Sequence, residues 1–178
     1  MAEDIKMKVL VVVDMQNDFI DGSLGSSAAV GITDAVGEYV RNFEGKIIFT
    51  RDTHPNDYLN TEEGKRLPVP HCIENTHGWQ ISDKIPVPDG AEIIDKPSFG
   101  SLSLAGVLKE INEKTPIAEI ELLGLCTDIC VISNAMIAKA ALPEVKITVN
   151  AALSRGVSKE SHDTALSAMR ACHIDIKE

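Results

Sequence analysis

Basic residues are scarce in this chain: 17 Lys and Arg stand against 27 Asp and Glu, for a net charge of −10. A surface of that sign repels phosphate backbones and anionic lipids, so no nucleic acid and no membrane is expected as a partner. Long hydrophobic runs are missing as well. No apolar stretch approaches the roughly eighteen residues of a membrane-spanning helix. The apolar run at 8–13 is too short for a secretion signal and has no small-residue cleavage site behind it. Cysteines are few, and Cys72, Cys126, Cys130 and Cys172 are too scattered for a disulfide framework in 178 residues. The expected setting is the cytoplasm, where thiols stay free for chemistry or ligation. Internal repeats, low-complexity tracts and linker-like segments are also absent, so residues 1–178 read as one domain.

What is present is alternation. Apolar, β-branched runs at 8–13 and 46–50 predict strands, as do 91–95, 118–124, 145–149 and 173–176. Between them, the spacing of Val30, Ala35, Val36, Tyr39, Val40 and Phe43 predicts a helix over 29–43. Further helices are expected over 101–112, from about Cys130 onward, and over 159–171 with Ser158 as its cap. Residues 55–90 hold five of the eight prolines and no long periodic stretch, so they read as an excursion outside the sheet. Short strands without amphipathic alternation, separated by helices, belong to a parallel sheet covered on both faces. The fold class is therefore α/β: a three-layer αβα domain around a six-stranded, mainly parallel sheet. Such sheets bind ligands beyond the carboxyl ends of their strands, where the strand order switches.

The predicted strand ends carry chemistry. The first run stops at Asp14, the second leads into Asp52 and His54, the third into Lys96, and the fourth through Cys126 to Cys130. One Asp after a strand is ordinarily a turn or cap residue, and one free Cys a small buried hydrophobe. Together they form a set. Cys130 opens an apolar helical stretch, where the helix dipole and Lys96 are expected to lower its pKa toward the nucleophilic thiolate. Asp14 can take the thiol proton and return it to a leaving amine. Asp52 and His54, two residues apart in extended chain, point the same way and can share a cation with His71. Mixed N/O ligation suits zinc, with iron or manganese as alternatives. Glu63 is either a fourth ligand or a surface acid beside Glu62. His77, His162 and His173 lack matching partners and read as surface or helix-end residues.

The segments VVVDMQNDF (11–19), FTRDTHP (49–55), LNTEEGKRLPVPHC (59–72), IDKPSFGS (94–101) and GLCTDICV (124–131) occur in an order and spacing that resembles the nicotinamidase and isochorismatase-like hydrolases. The resemblance spans nearly the whole chain. It implies a six-stranded parallel sheet and a catalytic Asp, Lys and Cys, at Asp14, Lys96 and Cys130. Isochorismatases proper cleave a vinyl ether without a nucleophilic cysteine or a metal. Nicotinamidases carry D-x-H and a later His around zinc, and some add a Glu. Asp52, His54 and His71, with Glu63, match that branch. The resemblance further implies a cis Leu125–Cys126 bond that aims the Cys126 N–H, beside that of Cys130, at an oxyanion. Phe19 and Phe99 stand where relatives sandwich a planar substrate; core packing is the alternative for both.

The expected function is thus a metal-dependent amidase of the nicotinamidase type, acting on a small-molecule amide in NAD salvage. The alternative is a related cysteine hydrolase of another small amide or an N-carbamoyl compound. A homo-oligomer is compatible with the resemblance. One departure stands out: Pro68, Val69 and Pro70 precede His71, where some nicotinamidases place an aromatic residue.

Overall fold

The computed structural model describes residues 6–178; the first five residues of the expected domain lie outside the described residues. Six strands form one sheet: β1 (Met7–Val13), β2 (Lys46–Asp52), β3 (Glu92–Lys96), β4 (Ile117–Leu125), β5 (Lys146–Arg155) and β6 (Asp175–Lys177). Their order is β3-β2-β1-β4-β5-β6 and every pairing is parallel. The chain runs outward from β1 through β2 to β3, then returns to lay β4 on the other side of β1. The order therefore switches between β1 and β4.

Both faces of β1 are buried, which is why its sequence reads as one apolar run rather than an alternation. Val9, Val11 and Val13 face a core completed by Leu104 and Leu108 of α4 (Leu102–Lys114), Ala135 and Ala138 of α5 (Ile132–Ala141), and Leu166 and Met169 of α6 (Lys159–Ala171). Leu10 and Val12 face the opposite core, closed by Ile20 of α1 (Asn17–Ile20) and by Ile32, Val36 and Val40 of α2 (Ser27–Asn42). The predicted cap of α6 is present as a reciprocal pair: Ser158 Oγ accepts from Ser161 N and Ser161 Oγ from Ser158 N, each at 3.1 Å. Among the described residues no helix is long and apolar enough to cross a membrane.

The structure departs from the sequence expectation at five places. The one-turn α1 was not expected, being too short for periodicity to mark. The excursion over 55–90 includes a 3₁₀ turn (Tyr58–Asn60) and the short helix α3 (Glu62–Arg66), capped by Thr61 accepting from Gly64 N at 3.0 Å. β5 continues to Arg155 because it bulges: Leu122 faces Val149, but Gly124 faces Ser154. That irregularity interrupts the apolar pattern that marks its first half. β6 begins at Asp175, later than expected, because the end of α6 carries through a left-handed turn at His173. Finally, helical backbone near the nucleophile candidate starts at Thr127, as one wide π turn (Thr127–Val131) leading into α5.

Gly124 fixes the seam at the switch. Its φ is +124°, and a Cβ there would run into the Val13 carbonyl of the neighbouring strand. Gly124→Ala is expected to cost about 3 kcal/mol of stability from backbone strain and overpacking together. Urea denaturation measures it, and a loss below about 1 kcal/mol would show that the seam can relax.

Candidate active site

Four strand ends meet where the sheet order switches. Asp14 follows β1 directly and takes a left-handed φ of 49°, a conformation Asp tolerates better than most residues. Its Oδ1 accepts from Thr50 Oγ1 at 2.6 Å. Its Oδ2 is buried and ion-paired with Lys96 Nζ at 2.7 Å. One oxygen is thus held by a hydroxyl and the other faces the ammonium. Lys96 at the end of β3 is fully buried, and its Nζ also approaches Asp52 Oδ1 at 3.3 Å and Cys130 Sγ at 3.5 Å. It donates to the Ser98 carbonyl at 3.2 Å.

Electrostatics in this buried knot correct one expectation. Burial pushes the Cys130 thiol up, the Asp14 charge adds to that, and the nearby ammonium of Lys96 does not offset them. Cys130 sits inside the wide π turn, at 3% exposure. Depth here opposes the thiolate, against the pull of the helix terminus and the cation. Burial likewise raises Asp14 despite Lys96, which suits a carboxylate that must accept a proton. For Lys96, burial opposes the charge, but the neighbouring carboxylates of Asp14 and Asp52 favour it, so it stays an ammonium.

Next to the triad candidates lies a cluster of ligand types. Asp52 Oδ2 is 3.0 Å from His54 Nε2 and 3.6 Å from His71 Nε2. Glu63 Oε1, brought in by α3, is 3.6 Å from each of those nitrogens. All four donor atoms fall within 4.8 Å of one another. His71 Nδ1 faces the Val69 carbonyl at 2.8 Å, which can only accept, so Nε2 is presented to the cluster. Burial lowers the His71 imidazole, but hydrogen bonds to Asp52, Glu63 and Val69 lift it to about 9. Burial opposes the Asp52 charge too, yet His54, His71 and Lys96 hold its carboxyl well below the usual carboxylate range. Two carboxylates and two imidazoles converging on one buried point are the donor set of a divalent cation such as zinc.

Several supporting residues escaped the sequence reading. Gln16 is buried and clamps Asp52 by its backbone, with Nε2 donating to Asp52 O at 2.8 Å and Oε1 accepting from Asp52 N at 2.7 Å. Asp18 Oδ2 accepts from Cys72 N at 2.7 Å and so holds the segment carrying His71. Tyr58 stands where no aromatic was foreseen: its ring centroid lies 4.8 Å from His54 and 5.0 Å from His71. It packs against both imidazoles from the 3₁₀ turn, itself buried at 1% exposure. His162 also has a partner after all, with Nδ1 2.8 Å from Thr127 Oγ1 at the π turn.

Beside these groups lies a cavity of about 580 Å³, lined among others by Phe19, Asp52, Glu63, His71, Phe99, Cys126 and Cys130. The Phe19 ring lies 5.6 Å from that of His71, and Phe99 is 41% exposed at the rim, outside either core. The Leu125–Cys126 peptide bond is cis.

Comparison with known proteins places this geometry in context. The family described as the isochorismatase domain matches residues 8–176. A nicotinamidase of Schizosaccharomyces pombe is 27% identical, over 94% of this chain and 91% of that protein. A nicotinamidase of Saccharomyces cerevisiae is 29% identical, over 86% and 90% respectively. Among solved structures, a pyrazinamidase of Pyrococcus horikoshii in complex with zinc superposes with a TM-score of 0.83. It is 27% identical, with 97% of this chain and 99% of that one covered.

Proposed function

The chain belongs to the isochorismatase family, and from that footing we propose that it is a zinc-dependent cysteine amidase hydrolysing nicotinamide to nicotinate and ammonia. The observation that carries this reading is the buried Lys96 ammonium, 2.7 Å from Asp14 and 3.5 Å from Cys130, which lines one cavity with Asp52, Glu63 and His71 of the ligand cluster. Nicotinamidases and a pyrazinamidase among the relatives support the choice of a small aromatic amide. Phe19 and Phe99 supply the flanking rings for it. The free thiols support a reducing, cytoplasmic setting.

The residues divide the reaction as follows. The substrate carboxamide lies above Cys130, and Asp14 takes the thiol proton as sulfur attacks the carbonyl carbon. The amides of Cys126 and Cys130 receive the developing oxyanion, a donor of this kind contributing about 3 kcal/mol. Asp14 then delivers its proton to the amine, the C–N bond breaks, and ammonia leaves a thioester on Cys130. Water gives a proton to Asp14 and attacks the thioester, and the acid departs with sulfur reprotonated. Lys96 balances the negative charge shared by Asp14 and Cys130 throughout. Zinc on Asp52, His54, His71 and Glu63 would supply a Lewis acid for the substrate ring nitrogen or a bound water.

Ammonia release from nicotinamide, with and without a chelator, tests the reading; turnover of a carbamoyl compound with none of nicotinamide would overturn the substrate. Glu63→Gln is expected to weaken zinc binding at least about tenfold. Equilibrium competition against a chelator reads this, and unchanged affinity would return Glu63 to the status of a surface acid.

A further inference from the structure

The four candidate ligands are reached from two sides. Asp52 and His71 line the cavity that holds Cys130. His54 lines a second cavity, of about 670 Å³, which does not include Cys130. Glu63 lines both. Since the four donor atoms lie within 4.8 Å of one another, a cation among them borders both spaces. Leu67, Phe99 and Ile129 are common to the two linings and form the partition between them.

We propose that the second cavity is the route by which the divalent cation enters and leaves, separate from the substrate's mouth. This rests on the metal reading of the previous subsection. A hydrated cation sheds water stepwise, so it needs a first ligand it can meet from solvent. The side chains of Asp52, His54 and His71 are only 2–4% exposed, whereas that of Glu63 is 19% exposed. Glu63 is that first ligand, and its carboxylate faces the second cavity as well as the first. The mouth there is formed by exposed Pro55, Glu62 and Arg66. At the substrate cavity the solvent-reachable side chains include Phe19, Leu24 and Val157 instead. Arg66 is the cation of the second lining, and it opposes an incoming divalent ion.

Two rates decide it: zinc uptake by metal-stripped protein, and zinc release into an excess of chromophoric chelator. A path is used in both directions, so Arg66→Trp is expected to slow both rates roughly tenfold or more, leaving their ratio and the nicotinamide KM unchanged. Arg66→Glu is expected to speed uptake about tenfold at low ionic strength, with the gain shrinking in salt. Val157→Trp, at the substrate mouth, is expected to raise KM without altering either zinc rate. Wild-type zinc rates in both Arg66 variants, or slowed exchange in Val157→Trp, would overturn the separate route while leaving the metal site standing. Failure of the wild-type protein to bind zinc at all would overturn the metal reading and the route with it.

Discussion

Cys130→Ala is expected to abolish ammonia release, with turnover down by roughly 10⁴-fold or more, because no other group forms the covalent intermediate. Fold stability serves as the control. The substitution removes one sulfur from a buried site and costs only about 1 kcal/mol. It also removes a thiol whose ionisation burial opposes. A lost activity with a nearly intact denaturation midpoint is therefore the diagnostic pair. Retained turnover would sink the nucleophile assignment. Cys126→Ala sharpens the comparison: its thiol lines the same cavity, and burial pushes it up to about 12. The proposed role of Cys126 lies in its amide, so its alanine variant should keep most of its activity. Loss of activity there with retention in Cys130→Ala would exchange the two roles.

Lys96→Met should damage fold and function together. The ammonium is fully buried and faces Asp14 at 2.7 Å and Asp52 at 3.3 Å. Removing it strands two buried carboxylates, and breaking a buried ion pair from one side costs about 3–5 kcal/mol. Asp14 would then hold a proton more tightly and lose its value as a base, for a further rate loss of about 10²- to 10⁴-fold. Denaturant midpoints and ammonia release give the two readings. The double variant Asp14→Asn with Lys96→Met should recover part of the stability, because one stranded charge is gone, while activity stays lost. A stability change under about 1 kcal/mol in Lys96→Met would mean that the pair contributes no more than a surface bridge.

The candidate triad was legible because parallel sheets write their sites at strand ends. Apolar runs stop abruptly at Asp14, lead into Asp52 and His54, and deliver Lys96, so a linear pattern maps onto one rim. The i, i+2 spacing of Asp52 and His54 fixed their common direction, and the structure brings their side chains to 3.0 Å. Other parts were not legible for reasons of the same kind. Thr50 and Gln16 act through single hydrogen bonds to partners 36 residues away, which no local period records. Tyr58 enters the site from a loop whose 3₁₀ turn is too short to show periodicity. Thr61 was a missed signal, since a Thr before Glu62 and Glu63 has the composition of a helix cap. The thiol's direction was misjudged because a helix start can be read in sequence, but its depth cannot.

The contact between Gly124 and Val13 also has a metrical consequence. The proposed base and nucleophile hang from neighbouring strands, one after Val13 and the other beyond Gly124, two residues that face each other across the ladder. Sliding one strand past the other by a single residue would displace the sulfur by about 3.3 Å and turn every inward side chain outward. Sliding by two would preserve the facing but open a gap of nearly 7 Å, beyond any proton transfer. A strand bearing a side chain in place of Gly124 cannot seat against that carbonyl, so the alignment has one notch. The sheet acts here as a vernier, setting the reach from acid to sulfur by which residue rests opposite which.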